Sequence, residues 1–418
     1  MTIYQSESAN RSESQIDLIY FDAGGGHRAS ATALISAVRQ QYRSWNINLI
    51  NLRELLEPAD VIRRITGVRI EDFYNSQLKH GLTIGTGPLL RITQMLIRQL
   101  EPTIIKLLAR HWQRSRADLV VSMIPNFNHA ILQGLRQADA MRARSETPMV
   151  TILTDLADCP PHFWIEHQRQ YLVCGTDAAA DQAIAMGHAP ARVFRTSGMI
   201  VRPEFYRPIE MNREAERIRL GLDPELPTGI VMFGSYGSSQ MAAIAKRIED
   251  TGSKTQLIFI CGHNDKLRER IESMKLSYPF HCVGFTQEIP YYMKLADFFI
   301  GKPGPGSISE ALVMRLPLIV ERNSWTMVQE RFNTDWIAQN GFGIVLPSLR
   351  DIGTAVSTML DREQFTRLRA NVEAFDNRAV FEIPEILEGL IVNHRAANWS
   401  FGRTATARQF ASEIHYGI

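Results

Sequence analysis

Short apolar runs rich in β-branched residues recur along the chain, separated by longer stretches with helical spacing. In the first half, residues 16–22, 47–52, 119–124, 149–154, 171–174 and 193–196 predict strands. These runs are continuous rather than alternating, as expected when both faces of a parallel sheet are covered. Residues 29–40, 129–137 and 178–186 between them carry apolar positions at helical spacing. The alternation predicts βαβ units wound into a sheet. It breaks at 199–228, where Pro203, Pro208, Pro224 and Pro227 stand among many charges. A second series follows, with strands predicted at 230–234, 256–261, 281–285, 298–302, 318–321 and 343–346. The pattern predicts an α/β chain of two doubly wound parallel-sheet domains, 16–200 and 228–382. Residues 201–227 read as their linker, 1–15 as a polar tail, and 383–418 as a helical segment that could return to the first domain.

Composition narrows the class. A chain of 418 residues suits two cores rather than one. With 45% hydrophobic and 22% charged residues it is an ordinary globular protein, and a net charge of +2 calls for no nucleic-acid partner. Met1–Gln15 lacks the apolar core of a leader, and no 18-residue apolar run would span a bilayer. Cys159, Cys174, Cys261 and Cys282 are scattered and read as reduced thiols of a cytoplasmic protein. Residues 60–116 stand apart, with ten Lys or Arg against four Asp or Glu interleaved with apolar positions. Such a stretch suits peripheral contact with an anionic membrane, although a solvated surface helix has the same pattern.

In open α/β sheets ligands bind beyond the carboxyl ends of strands, so the chemistry is sought there. The first predicted strand runs into Asp22-Ala23-Gly24-Gly25-Gly26-His27, where glycines permit a tight turn and a helix N-terminus favours an anion. The fit to a dinucleotide fingerprint is incomplete, because the second strand carries no acid at its tip, and no G-K-[ST] follows for a phosphate loop. His27 stands at the ligand end and could act as a base or hold a sugar or phosphate. Lys302-Pro303-Gly304-Pro305-Gly306-Ser307 follows another strand, with Ser307 and Glu310 spaced as a capping box. Spacing leaves two readings equal: a plain helix cap, or a diphosphate site with Glu310 on ribose hydroxyls. Phe233-Gly234-Ser235-Tyr236-Gly237 is a third strand-to-glycine turn, so each domain offers a phosphate-compatible turn toward a central cleft. Gln329, Glu330 and Asn333 read by themselves as helix surface. No D-x-D pair or zinc spacing occurs, and His162 with His167 reads as a surface pair.

Together these motifs resemble the family of monogalactosyldiacylglycerol synthases and bacterial diacylglycerol glucosyltransferases, which is glycosyltransferase family 28-like. The resemblance runs from about residue 16 to 346. It is carried by Gly24–Ser30, Asp118–Ser122 with His129, Thr151–Leu156, Phe163-Trp164, Gly198–Pro203, Gly284-Phe285, Lys302–Ser307 with Glu310-Ala311-Leu312, and Gln329-Glu330 with Asn333. It implies a GT-B fold, two Rossmann-like domains facing a central cleft. It also implies inverting, metal-independent transfer of a hexose from a UDP-sugar to a lipid hydroxyl, giving a β-glycolipid, without a cofactor. The N-terminal domain would hold the acceptor and the C-terminal domain the UDP. By the same resemblance His27 is catalytic or positions the sugar, and Asp155 lies near the acceptor or supports the base. Gly25 and Gly26 flank the diphosphate, and Gly304, Gly306 and Ser307 hold it. Phe285 faces the uracil, Glu310 the ribose, and Gln329, Glu330 and Asn333 the sugar; Gly234 and Ser235 join the donor site from their turn.

The chain departs from the plant-type pattern at Ala23, at Pro303 and in Arg322–Val328. The sugar therefore stays open among galactose, glucose and N-acetylglucosamine, and the acceptor could be another amphiphile. A UDP-sugar 2-epimerase would share the fold. An NAD(P)-dependent oxidoreductase and a non-catalytic peripheral membrane protein that keeps a nucleotide fold are the readings from other classes; the glycosyltransferase reading expects a cytoplasmic protein, peripheral on the inner face of the membrane.

Overall fold

The structure is a computed structural model that describes residues 13–21, 26–56, 86–143, 145–324 and 326–414. Gly25 and residues 60–85 of the basic segment lie outside the described residues. Among the described residues two six-stranded parallel sheets form. The first contains β1 Ser14–Tyr20, β2 Trp45–Asn51, β3 Leu119–Ser122, β4 Met149–Ile152, β5 Tyr171–Cys174 and β6 Val193–Arg195, in the order β2-β1-β3-β4-β5-β6. The second contains β7 Thr228–Met232, β8 Gln256–Gly262, β9 Phe280–Gly284, β10 Phe298–Gly301, β11 Leu318–Glu321 and β12 Gly343–Leu346, in the order β12-β11-β10-β7-β8-β9.

Each predicted strand appears within about two residues of its expected place. The reason is visible in burial: every residue of β3, β4, β7, β8 and β10 is buried, so both faces had to be apolar. The edge strand β2 instead alternates partly buried with exposed positions along most of its length. Each sheet separates two apolar clusters. In the C-terminal sheet one face packs Met241, Ile244 and Ile248 of helix Gln240–Thr251, and the other packs Ile308 and Leu312 of helix Pro305–Val313.

The stretch read as a linker is largely structured. Helix Arg213–Arg219 is fixed to the C-terminal domain because Arg213 and Arg217 both bond Asp297, at 2.6 and 2.7 Å, and Arg217 also donates to the Leu295 carbonyl. The chain crosses between domains at Ser197–Phe205 and again at Phe375–Ala379, and the crossings are hydrogen-bonded together. Asn377 Nδ2 donates to the Met199 carbonyl at 2.9 Å, and the Arg378 amide donates to Ser197 Oγ at 2.6 Å. After the second crossing, helix Ala379–Ile414 lies on the N-terminal domain, burying Val380, Ile383, Leu387 and Ile391 against Leu34, Ala37 and Val38. No helix among the described residues is long and apolar enough to cross a membrane.

Candidate active site

Parallel sheets open a crevice where the strand order reverses. In the N-terminal sheet that point lies between β1 and β3, and in the C-terminal sheet between β7 and β10. The chemistry-bearing residues gather at these two points.

His27 follows β1 at the start of helix Gly26–Gln40. Its Nδ1 lies 3.1 Å from Thr154 Oγ1, just beyond β4, and its ring packs 5.8 Å from the Trp164 ring. Burial lowers its pKa to about 4, opposed by a hydrogen bond to the Met123 carbonyl beyond β3. The sequence allowed His27 as a base titrating near neutral pH; its surroundings instead keep the imidazole neutral. Gly26 has open space where a side chain would be. Asp155, next to Thr154, is buried, and its Oδ2 accepts the Trp164 indole N–H at 2.9 Å. Burial pushes the Asp155 carboxyl up to about 7; the indole opposes this, and the Glu330 and Asp158 carboxylates add to it.

In the C-terminal domain, Gly234 takes φ +79 in the turn after β7, which glycine adopts without strain. Ser235 is held by its carbonyl, which accepts the His263 amide at 2.8 Å; a Cβ on Gly262 would stand 2.1 Å from that oxygen. The turns after β7 and β8 are thereby locked together. Beyond β10, helix Pro305–Val313 is capped by Gly304, not by Ser307 as its spacing suggested. Pro305 occupies the first turn because its missing N–H is not needed there, so the chain turns into helix two residues early. Ser307 therefore sits inside the first turn, and the capping box with Glu310 does not form. The Gly306 and Ser307 amides stand at the open helix end, and a Cβ on Gly306 would touch nothing within 4 Å.

Glu310 lies 3.7 Å from Arg202 Nε. Burial raises its carboxyl to about 7, with the Arg202 guanidinium opposing. Glu330 and Asn333 read from the sequence as helix surface, but both are buried on helix Val328–Gln339. That helix turns this face onto the loop before helix Pro305–Val313, and Asn333 Nδ2 donates to the Pro303 carbonyl at 2.8 Å. Asn333 Oδ1 is buried without a partner among the described residues. Gln329 is half-buried, with its Nε2 3.6 Å from Met327 Sδ. Phe285 is 56% exposed at the carboxyl edge of β9 and stacks on His263 at 3.9 Å.

The two halves meet. The Glu330 carboxylate acts on Asp155 across the cleft, and Cys159 Sγ lies 3.5 Å from the Val328 carbonyl. Thr154, Trp164, Arg202 and Lys302 stand inside the sequence motifs, where the pattern gives them no role of their own at the site. Lys302 Nζ is 3.5 Å from Glu330 Oε1. A lysine directly after a strand, beside glycines, was the signal for it.

Residues 230–345 match the glycosyltransferase family 28 C-terminal domain. The chain is 29% identical over 362 residues to the chloroplastic monogalactosyldiacylglycerol synthase of Spinacia oleracea, covering 83% of this chain and 66% of that protein. It is 28% identical over 389 residues to monogalactosyldiacylglycerol synthase 3 of Arabidopsis thaliana, covering 88% and 79%. It thus spans just under two thirds of the spinach protein's length. Among solved structures, MurG of Acinetobacter baumannii matches with a TM-score of 0.56 at 10% identity, over 90% of this chain and all of that one, which shows the GT-B architecture. The chain thus carries a region similar to the glycosyltransferase family 28 C-terminal domain, on two facing Rossmann-like domains, and resembles monogalactosyldiacylglycerol synthases over most of its length.

Proposed function

We propose that this protein is an inverting glycosyltransferase that moves a hexose from a UDP-sugar to the hydroxyl of diacylglycerol or a similar amphiphile, without a metal. The observation that carries this is that the two walls meet, with Cys159 Sγ 3.5 Å from the Val328 carbonyl, so that Asp155 near Trp164 and His27 shares one cleft with Glu330 beside Lys302 and the glycine turns. One wall thus holds a proton acceptor and the other a place for an anion. The relatives' printed names supply galactose and diacylglycerol as first candidates.

Inverting transfer needs a group that takes the acceptor proton and an environment that stabilises the departing diphosphate. A carboxyl that titrates near 7 is matched to a base working at neutral pH, so Asp155 takes the proton. His27, neutral and engaged by Thr154 and Met123, holds the sugar or phosphate in place. The Gly306 and Ser307 amides and the dipole of their helix stabilise the leaving group. Glu310 receives the ribose hydroxyls, Phe285 faces the base, and Gln329, Glu330 and Asn333 take the sugar; the orphaned Asn333 Oδ1 suits a sugar hydroxyl. Peripheral membrane contact falls to residues 60–116, on the cytoplasmic side, through positions other than Ile97, Ile104, Leu108 and Trp112, which are buried in the N-terminal core.

The test incubates the protein with UDP-galactose or UDP-glucose and diacylglycerol in anionic micelles, with and without EDTA. UDP release and glycolipid are both measured. A β-glycolipid formed equally in EDTA is the expected outcome and names the sugar. UDP-sugar turnover without acceptor would favour a 2-epimerase instead, and loss of activity in EDTA would remove the metal-free claim.

A further inference from the structure

The proposed chemistry leaves a charge uncompensated. As the bond between the sugar C1 and the β-phosphate oxygen breaks, its electron pair stays on UDP, which gains negative charge. The acceptor oxygen forms the new bond to C1, and its proton passes to Asp155. Amide dipoles supply partial charges only, and a full cation in a water-poor cleft stabilises a developing oxyanion more strongly.

We infer that Lys302 is that cation, a catalytic residue that contacts the departing diphosphate and that Glu330 holds in place until the donor arrives. This rests on the donor reading above. Lys302 follows β10 directly, and β10 pairs with β7 in register Gly301↔Met232, so the lysine emerges where the strand order of the sheet reverses. Its side chain runs over two glycines. Its Cε lies 3.8 Å from where a Gly234 Cβ would be, and 3.4 Å from where a Gly304 Cβ would be. The lysine therefore spans both turns between which a diphosphate would lie, within van der Waals reach of each.

The ammonium is also kept on the cleft side. Its partner Glu330 is a nearly buried carboxylate, with 7% of its side chain exposed, whereas the Lys302 side chain is 36% exposed. Glu330 thus anchors the lysine from below while leaving it open to an anion above. When the anion binds, Lys302 exchanges partners and the Glu330 oxygens become free for sugar hydroxyls. Binding of the leaving group is in this way coupled to binding of the sugar.

A merely structural lysine that neutralises Glu330 makes different predictions. The first experiment is calorimetric titration of the full chain with UDP and, separately, with uridine. Lys302→Met is expected to weaken UDP about tenfold or more and leave uridine unchanged, with Lys302→Arg close to wild type, since one charge-assisted contact is lost. In turnover, Lys302→Met is expected to lower kcat about a hundredfold or more, the scale seen when one oxyanion donor is removed. The double variant Lys302→Met/Glu330→Gln separates the roles. If the lysine serves only Glu330, the double variant matches Glu330→Gln alone; if it serves the diphosphate, the lysine penalty persists. Unchanged UDP affinity in Lys302→Met, or a double variant equal to Glu330→Gln, overturns the assignment. A wild type that binds no UDP sinks the donor reading and this inference with it. UDP binding that is lost only in the variants supports both.

Discussion

The indole N–H of Trp164 donates to Asp155 Oδ2 at 2.9 Å, while the same ring lies 5.8 Å from the ring of His27. One fully buried tryptophan therefore contacts both of these titratable groups of the N-terminal wall.

If Asp155 takes the acceptor proton, kcat/KM should rise about tenfold per pH unit below a midpoint near 7 and level off above it. His27, titrating near 4, should leave no limb between pH 5 and 7. Trp164→Phe removes the donor that holds the carboxylate charged, so the midpoint should move to higher pH. A profile flat from pH 5 to 8 in the wild type would return the base role to another group.

Asp155 and Glu310 also link stability to pH. Both carboxyls titrate higher in the folded protein than in the unfolded chain, so the native state binds protons more tightly and is favoured at low pH. That advantage is present below about 4 and is lost as pH rises through about 7. Asp155→Asn and Glu310→Gln should each flatten the fall of Tm between pH 5 and 8, measured by thermal unfolding without ligand. Parallel curves for variants and wild type would contradict the burial argument.

At the crossing between domains, a Cβ on Gly198 would stand 2.5 Å from Asn377 Cγ. Asn377 cannot yield, because its amide donates to Met199 and its Oδ1 accepts the Ala379 amide. Gly198→Ala should therefore destabilise by about 1–3 kcal/mol, the usual cost of overpacking. Adding Asn377→Ala should recover part of that loss, which denaturant unfolding of both variants would read as non-additivity.

Leu387 is 1% exposed, in the cluster that seats helix Ala379–Ile414 on the N-terminal domain. Leu387→Ala should cost about 2–5 kcal/mol. It should also raise hydrogen exchange in helix Gly26–Gln40, the partner helix, before it affects the C-terminal sheet. Uniform loosening of both domains would show that the helix is not a unit of the first.

The twelve strands and the doubly wound class were legible in the sequence because parallel strands are covered on both faces and so read as unbroken apolar runs. The positions of the glycine turns, His27 and Glu310 beyond strand ends were legible, because strand ends can be placed once strands are known. Tertiary structure alone decided the rest. Glu330 and Asn333 sit on a helix whose spacing resembles a solvated face, and only its docking on the Pro303 loop buries them. Asp155 and His27 titrate away from their ordinary values because segments distant in the chain bury them, and such burial leaves no mark in local sequence.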